Sequence, residues 1–178
     1  MGGDMSTRAS LLTAALLLMA TAAFPATAWC ADQPPQFDTK AERIGGLRLD
    51  MPERDLGGSL PCRQPSKSRD EYEGATGLFV QNWRYPDCGV QLKMGSDHKG
   101  VAKVIESITV TAPSQLVTTR GIRIGSTEDE VAKAYARFRD AEESKSGRLF
   151  VAGSIYDGLI FNFANGKVAR MFLGAAAE

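Results

Sequence analysis

The run whose residue types and spacing come nearest to known nucleophile chemistry is Ser96-Asp97-His98-Lys99, an S-x-x-K. In penicillin-recognising enzymes such a serine opens a helix and attacks an acyl carbonyl, with S-D-N and K-T-G motifs completing the site. The chain has neither companion motif, and Gly95 and Gly100 flank the run as a turn. His98 is the one histidine. It reads as a solvated loop side chain, with a weak pH sensor as the alternative. One histidine builds no metal cage and pairs with no nucleophilic cysteine. Glu128-Asp129-Glu130 offers carboxylates for acid–base work or a cation, but their place at the start of a helix is explained by the helix dipole. Asp70, Glu71 and Glu73 lack calcium-loop spacing, and Gly121–Ser126 lacks the lysine of a phosphate loop. The expectation is a protein with no catalytic residues, no metal and no cofactor.

Side chains suited to recognition form a better group. Arg63, Lys67, Arg69 and Tyr72 lie in a polar stretch after Cys62, and Trp83, Arg84 and Tyr85 follow on a strand. Trp, Tyr and Arg are the usual anchors of protein interfaces, and binding loops are commonly held by a rigid scaffold. Those seven residues are the candidate partner-binding set. The competing reading places Trp83 and Tyr85 in the core, as strand aromatics often are. The charge balance narrows the partner. With 21 basic and 21 acidic residues the net charge is zero, which excludes nucleic-acid binding by bulk charge. An apolar fraction of 43% argues against disorder.

Residues 1–28 read as a secretory signal peptide. Arg8 supplies the positive start, Leu11 to Phe24 the apolar stretch, and Ala26-Thr27-Ala28 the small-residue cleavage site. The apolar stretch is short for a membrane span of about 20 residues, and no other segment approaches that length. Trp29 precedes Cys30 where a lipidation signal wants a small residue, so soluble export is favoured over a lipid anchor. A periplasmic or secreted protein follows. In an oxidising compartment Cys62 and Cys88 are expected to pair, leaving Cys30 free, intermolecular or lipidated. Three buried free thiols are the alternative.

The elements that must position these residues show an internal repeat. Gly46-Leu-Arg-Leu and its following residues match Gly121-Ile-Arg-Ile, then Leu78-Phe-Val matches Leu149-Phe-Val, Tyr85 matches Tyr156, and Lys103-Val104 matches Lys167-Val168, all in order. Thr127 and Glu130 form a capping box, and Val131, Ala134, Tyr135 and Phe138 make one apolar stripe. In the first copy Pro52 opens a helix that Gly57-Gly58 and Pro61 weaken. Strands are expected at 78–85, 90–94 and 104–111, and again at 148–154, 159–163 and 168–173, with Asn165-Gly166 as a hairpin turn. Short strands at 47–49 and 122–124 would precede the helices. The fold class is α+β: a tandem repeat of helix followed by antiparallel β-meander, helices packed on one face. The organisation is signal peptide 1–28, flexible segment 29–43, unit 44–112, linker 113–119 and unit 120–178, the two units forming one domain.

The run Gly121-Ile-Arg-Ile-Gly-Ser-Thr-Glu-Asp-Glu-Val-Ala-Lys-Ala-Tyr resembles the helix-opening motif of the β-lactamase-inhibitor-like fold, and small outer-membrane assembly lipoproteins of the SmpA/OmlA type use a similar run. The resemblance covers about 15 residues per copy, strongly in the second and loosely in the first. It implies exported proteins that bind other proteins. No inhibitory loop can be matched residue by residue, and Trp29 departs from the lipoprotein pattern. The expected function is an exported, non-enzymatic protein-binding module of a bacterial-type envelope, in an inhibitor, immunity or assembly-accessory role. The alternative is a binder of small ligands or peptidoglycan fragments on the same aromatic surface.

Overall fold

Apolar alternation along the strands builds one antiparallel sheet. The computed structural model describes residues 35–60 and 62–176. The signal-peptide reading, the cleavage site and Cys30 lie outside the described residues. The strands are β1 (Ser66–Lys67), β2 (Glu71–Glu73), β3 (Leu78–Tyr85), β4 (Val90–Ser96), β5 (Val104–Thr111), β6 (Leu149–Gly153), β7 (Gly158–Ala164) and β8 (Lys167–Gly174). Their order is β1-β3-β4-β5-β8-β7-β6, with β2 also paired to β3. The two meanders therefore meet along β5 and β8. Asn165 and Gly166 both have positive φ (52° and 72°), as a two-residue hairpin turn requires.

Register turns the alternation into a core. Trp83, Leu92, Ile108, Leu173, Leu159 and Ala152 face one another in a row from β3 to β6. The next row is Tyr85, Val90, Val110, Met171, Phe161 and Phe150. Every member of both rows is buried. On the opposite face Val151, Ile160 and Phe172 form a second, smaller cluster with Leu149 and Ile155. β7 is thus apolar on both faces.

The expected tandem of helix-plus-meander units is overturned. Among the described residues there is a single α-helix, α1 (Glu128–Tyr135), extended by a 3-10 turn over Ala136–Phe138. Where the first unit was expected to hold its helix there is a 3-10 turn, Glu53–Gly58. The reason is local: Pro52 offers no side-chain cap, and two adjacent glycines raise the cost of helical propagation by roughly 1 kcal/mol each relative to alanine. The protein is mainly an antiparallel β-sheet, not an α+β repeat. The short strands expected before the helices are also missing. Residue 47 makes only an isolated bridge to Ile44, and Gly121 and Gly125, with φ of 84° and 89°, bend residues 121–125 into turns.

α1 forms as its sequence dictates. Thr127 Oγ1 accepts the Glu130 N–H, and Glu130 Oε2 accepts the Thr127 N–H at 2.7 Å. The Thr127 N–H first, and then the Thr127 hydroxyl, which also donates to Glu130 Oε2 at 3.1 Å, hold the Glu130 carboxyl below the usual carboxylate range. Val131 and Tyr135 are fully buried under the helix, and Tyr135 stands 5.2 Å from Phe161. Burial pushes the Tyr135 phenol upward. The segment expected to be flexible is held from Phe37 onward. The Phe37 ring packs edge-on against Tyr135 and Phe138, and the buried Glu42 accepts the Thr119 N–H at 2.9 Å. No helix among the described residues is long and apolar enough to cross a membrane.

Candidate functional site

Beyond the β3 end of the two core rows, the chain covers the sheet without a helix. The backbone of Asp50–Glu53 runs beside the start of β5, with the Asp50 N–H donating to Ile105 O and the Glu53 N–H to Lys103 O. The 3-10 turn then brings Leu56 and Leu60 onto the sheet. The Cys62–Cys88 disulfide is formed. It pins the start of the polar stretch to the turn after β3, where the Arg63 N–H also donates to Asp87 Oδ2 at 3.0 Å. Gly89, at φ 61°, closes that turn, and a side chain there would collide with Thr111 O. From the disulfide the chain runs into β1, where Lys67 pairs with Trp83.

Between the 3-10 turn, the disulfide-anchored stretch and β3 lies a groove of about 410 Å³. It brings together four of the seven expected residues, Arg63, Lys67, Trp83 and Tyr85. Trp83 and Tyr85 are 5% and 6% exposed and end the two core rows, so they are packing residues as well as groove walls. Lys67 Nζ sits 3.4 Å from the centroid of the Trp83 ring, and the indole N–H donates to Gln81 Oε1 at 3.1 Å. Burial raises the Tyr85 phenol above its usual range, which keeps it a neutral hydroxyl.

The other three expected residues lie elsewhere. Tyr72, 63% exposed, packs on Phe79 further along the β3 edge. Arg69 is exposed in the link between β1 and β2. Arg84 alternates with Trp83 and Tyr85 and therefore projects to the opposite face, its Nε donating to Gln91 Oε1 at 3.4 Å. Sequence reasoning missed Arg54, Leu56 and Leu60, which line the groove from the 3-10 turn. Gly57-Gly58, where the 3-10 turn ends, was the sequence signal for a chain that turns back onto the sheet.

The S-x-x-K run has its own outcome. Lys99 is exposed, whereas Lys103, 3% exposed, reaches Ser96 across the hairpin, its Nζ donating to Ser96 Oγ at 2.7 Å. The same ammonium donates to Phe79 O at 3.0 Å and lies 2.9 Å from Asp70 Oδ1. Ser96 Oγ is itself turned toward His98 O at 2.9 Å. A serine–lysine nucleophile needs a free amine to take the hydroxyl proton. Here the lysine's three donor directions go to a carbonyl, a hydroxyl and a carboxylate, which makes a clamp across β3, β4 and the link between β1 and β2. The Gly100 N–H, donating to Asp70 Oδ2, and the Lys103 ammonium together hold the Asp70 carboxyl below its usual range. Glu128 likewise serves structure, accepting the Gly147 N–H at 2.9 Å. Among the described residues no cluster of His, Cys, Asp and Glu could hold a metal ion. No protein-family model, curated protein or solved structure matches the chain.

Proposed function

We propose that the protein is an exported, non-enzymatic binding module that holds another protein of the periplasm or cell exterior at the groove beside β3. An inhibitor, immunity or assembly-accessory role would each use such a surface. The observation that carries this reading is the way the core ends at β3. Two rows of packed apolar residues stop at Trp83 and Tyr85, and what covers them is a basic, irregular stretch anchored by a disulfide. A rigid scaffold presenting an irregular segment is a common arrangement for recognition. The disulfide supports residence in an oxidising compartment, and the likeness of residues 121–135 to exported binding proteins points the same way. The groove's volume also falls in the range of small-ligand sites, roughly 300–1,000 Å³, which favours a peptidoglycan fragment as the second reading.

Alanine at Trp83 or Tyr85 would damage the core, so the test uses the rim. Co-purification from the envelope fraction should recover a partner with the native chain and lose it with Arg63→Glu/Lys67→Glu. Equal recovery with both proteins would sink the site.

A further inference from the structure

The groove has a sign as well as a shape. Its rim carries Arg54, Arg63 and Lys67, and the one carboxylate on it is Glu53. Glu53 is already engaged, since its Oε2 accepts the Lys103 N–H at 3.3 Å. Arg54 has only a loose, exposed contact with Asp55, Nε to Oδ1 at 3.7 Å; exposed pairs of this kind hold weakly. Among the described residues neither the Arg63 guanidinium nor the Lys67 ammonium is paired with a carboxylate; the Asp87 carboxylate is taken by the Arg63 backbone N–H. The chain as a whole is neutral, so this local excess of positive charge is a feature of the groove and not of the surface at large. Lys67, lacking a carboxylate, rests on the Trp83 ring instead. The floor beneath is apolar, made by Leu56, Leu60 and the two aromatic rings.

Building on the binding-module reading, we propose that this groove docks an acidic segment of the partner protein. Carboxylates of that segment pair with Arg54, Arg63 and Lys67, and an apolar side chain enters over Leu56 and Leu60. Lys67 exchanges the indole face for a carboxylate, because a charge-assisted hydrogen bond is stronger than a solvated cation–π contact. A glycan fits less well. Sugars stack on an open aromatic face, and the Trp83 ring is covered by Lys67, with its N–H committed to Gln81.

The chain has two tryptophans, Trp29 and Trp83. In a Trp29→Phe background the indole fluorescence reports Trp83 alone. Titration with a short synthetic peptide alternating glutamate and leucine should give a saturable change as Lys67 leaves the ring. The apparent Kd should rise at least tenfold in Arg63→Glu/Lys67→Glu, whose melting temperature should fall by only about 2–4 °C for the lost cation–π contact, and the native chain's Kd should rise with added salt. A matching peptide of lysine and leucine should give no response. Failure of the acidic peptide to bind, or equal binding to the charge-reversed variant, overturns the acidic-segment proposal. If partner recovery in the co-purification still depends on Arg63 and Lys67, the binding-module reading survives that failure. If a soluble peptidoglycan fragment saturates the Trp83 signal and the acidic peptide does not, both fall.

Discussion

At the β6 end of the sheet the core is closed by α1 and by rings that touch one another, Tyr135, Phe161 and Phe150. At the β3 end it is closed by a 3-10 turn, a two-residue strand, a disulfide and a buried lysine. The same strand alternation produces both halves, yet one end is held by apolar area and the other by specific ties. Apolar packing is non-directional and leaves little room for a groove, because interiors pack to crystal density. Covalent and ionic ties hold a chain at a few points and leave space between them. The groove therefore lies at the second kind of end, and loss of a tie there should change binding more than it changes the fold.

The largest expected effect breaks the apolar end. Phe161 is fully buried between Tyr135 and Phe150. Phe161→Ala should cost about 4 kcal/mol through lost transfer energy and the cavity left behind. Denaturant unfolding measures this, and a cost under about 1 kcal/mol would mean that this end is not the packed one. Second comes the disulfide. Cys62→Ser/Cys88→Ser frees a loop with a sequence separation of 26 residues and should cost about 3 kcal/mol in the chain-entropy model. Unlike Phe161→Ala, it should also abolish groove binding at temperatures where the sheet remains folded, with circular dichroism and the Trp83 signal followed together.

Third is the clamp. Lys103→Met keeps most of the side-chain volume but takes the donor away from Phe79 O, Ser96 Oγ and the Asp70 carboxylate, a loss of about 2 kcal/mol. The clamp also has a pH signature. The Asp70 carboxyl titrates lower in the fold than in the unfolded chain, where aspartate titrates near about 3.9. Its contribution is therefore fully present above that value and is lost as pH falls through the lower folded value. The native chain should exceed Asp70→Asn in stability at neutral pH, and the gap should close below about pH 4. A gap that stays constant into acid would show that the carboxylate's charge plays no part.

The two ends also differ in how far the sequence announced them. The alternation of Leu159, Phe161 and Phe163 and the Asn165-Gly166 turn are local signals, and β7 and β8 follow from them. The Thr127–Glu130 box is equally local. β1 and β2 carry no such signal: Ser66–Lys67 is two residues, and Glu71-Tyr72-Glu73 places acid on both sides of one aromatic. They are strands because β3 offers them an edge. The helix expected after Pro52 failed because a capless start and paired glycines outweighed one favourable proline. Trp83 and Tyr85, two apart on a strand, had to share a face, but whether that face was core or surface depended on Leu56 and Leu60 folding back over it. Lys103 was visible only as part of a matched pair with Lys167; that it, and not Lys99, would reach Ser96 depends on the β4–β5 hairpin. The failed helix is a local effect; the other gaps are contacts between separate segments, at the end where ties rather than periodicity decide.

The smallest expected effect on stability tests the comparison most sharply. Lys67 is exposed on β1, on the same face as Trp83, and its ammonium caps the Trp83 ring. Lys67→Ala removes one cation–π contact at a solvated site, worth about 0.5–1 kcal/mol. Denaturant midpoints should shift far less than for Phe161→Ala or the cysteine variant. If the β3 end is organised for recognition, the same substitution should still weaken acidic-peptide binding several-fold, because it removes a charge the ligand would pair with. If the end is only an irregular lid, Lys67→Ala should expose the indole and leave the peptide's affinity unchanged. Measuring both quantities on one variant separates a residue kept for the fold from one kept for a partner. Arg84→Ala, on β3 but on the face opposite Trp83, is the matched control and should move neither.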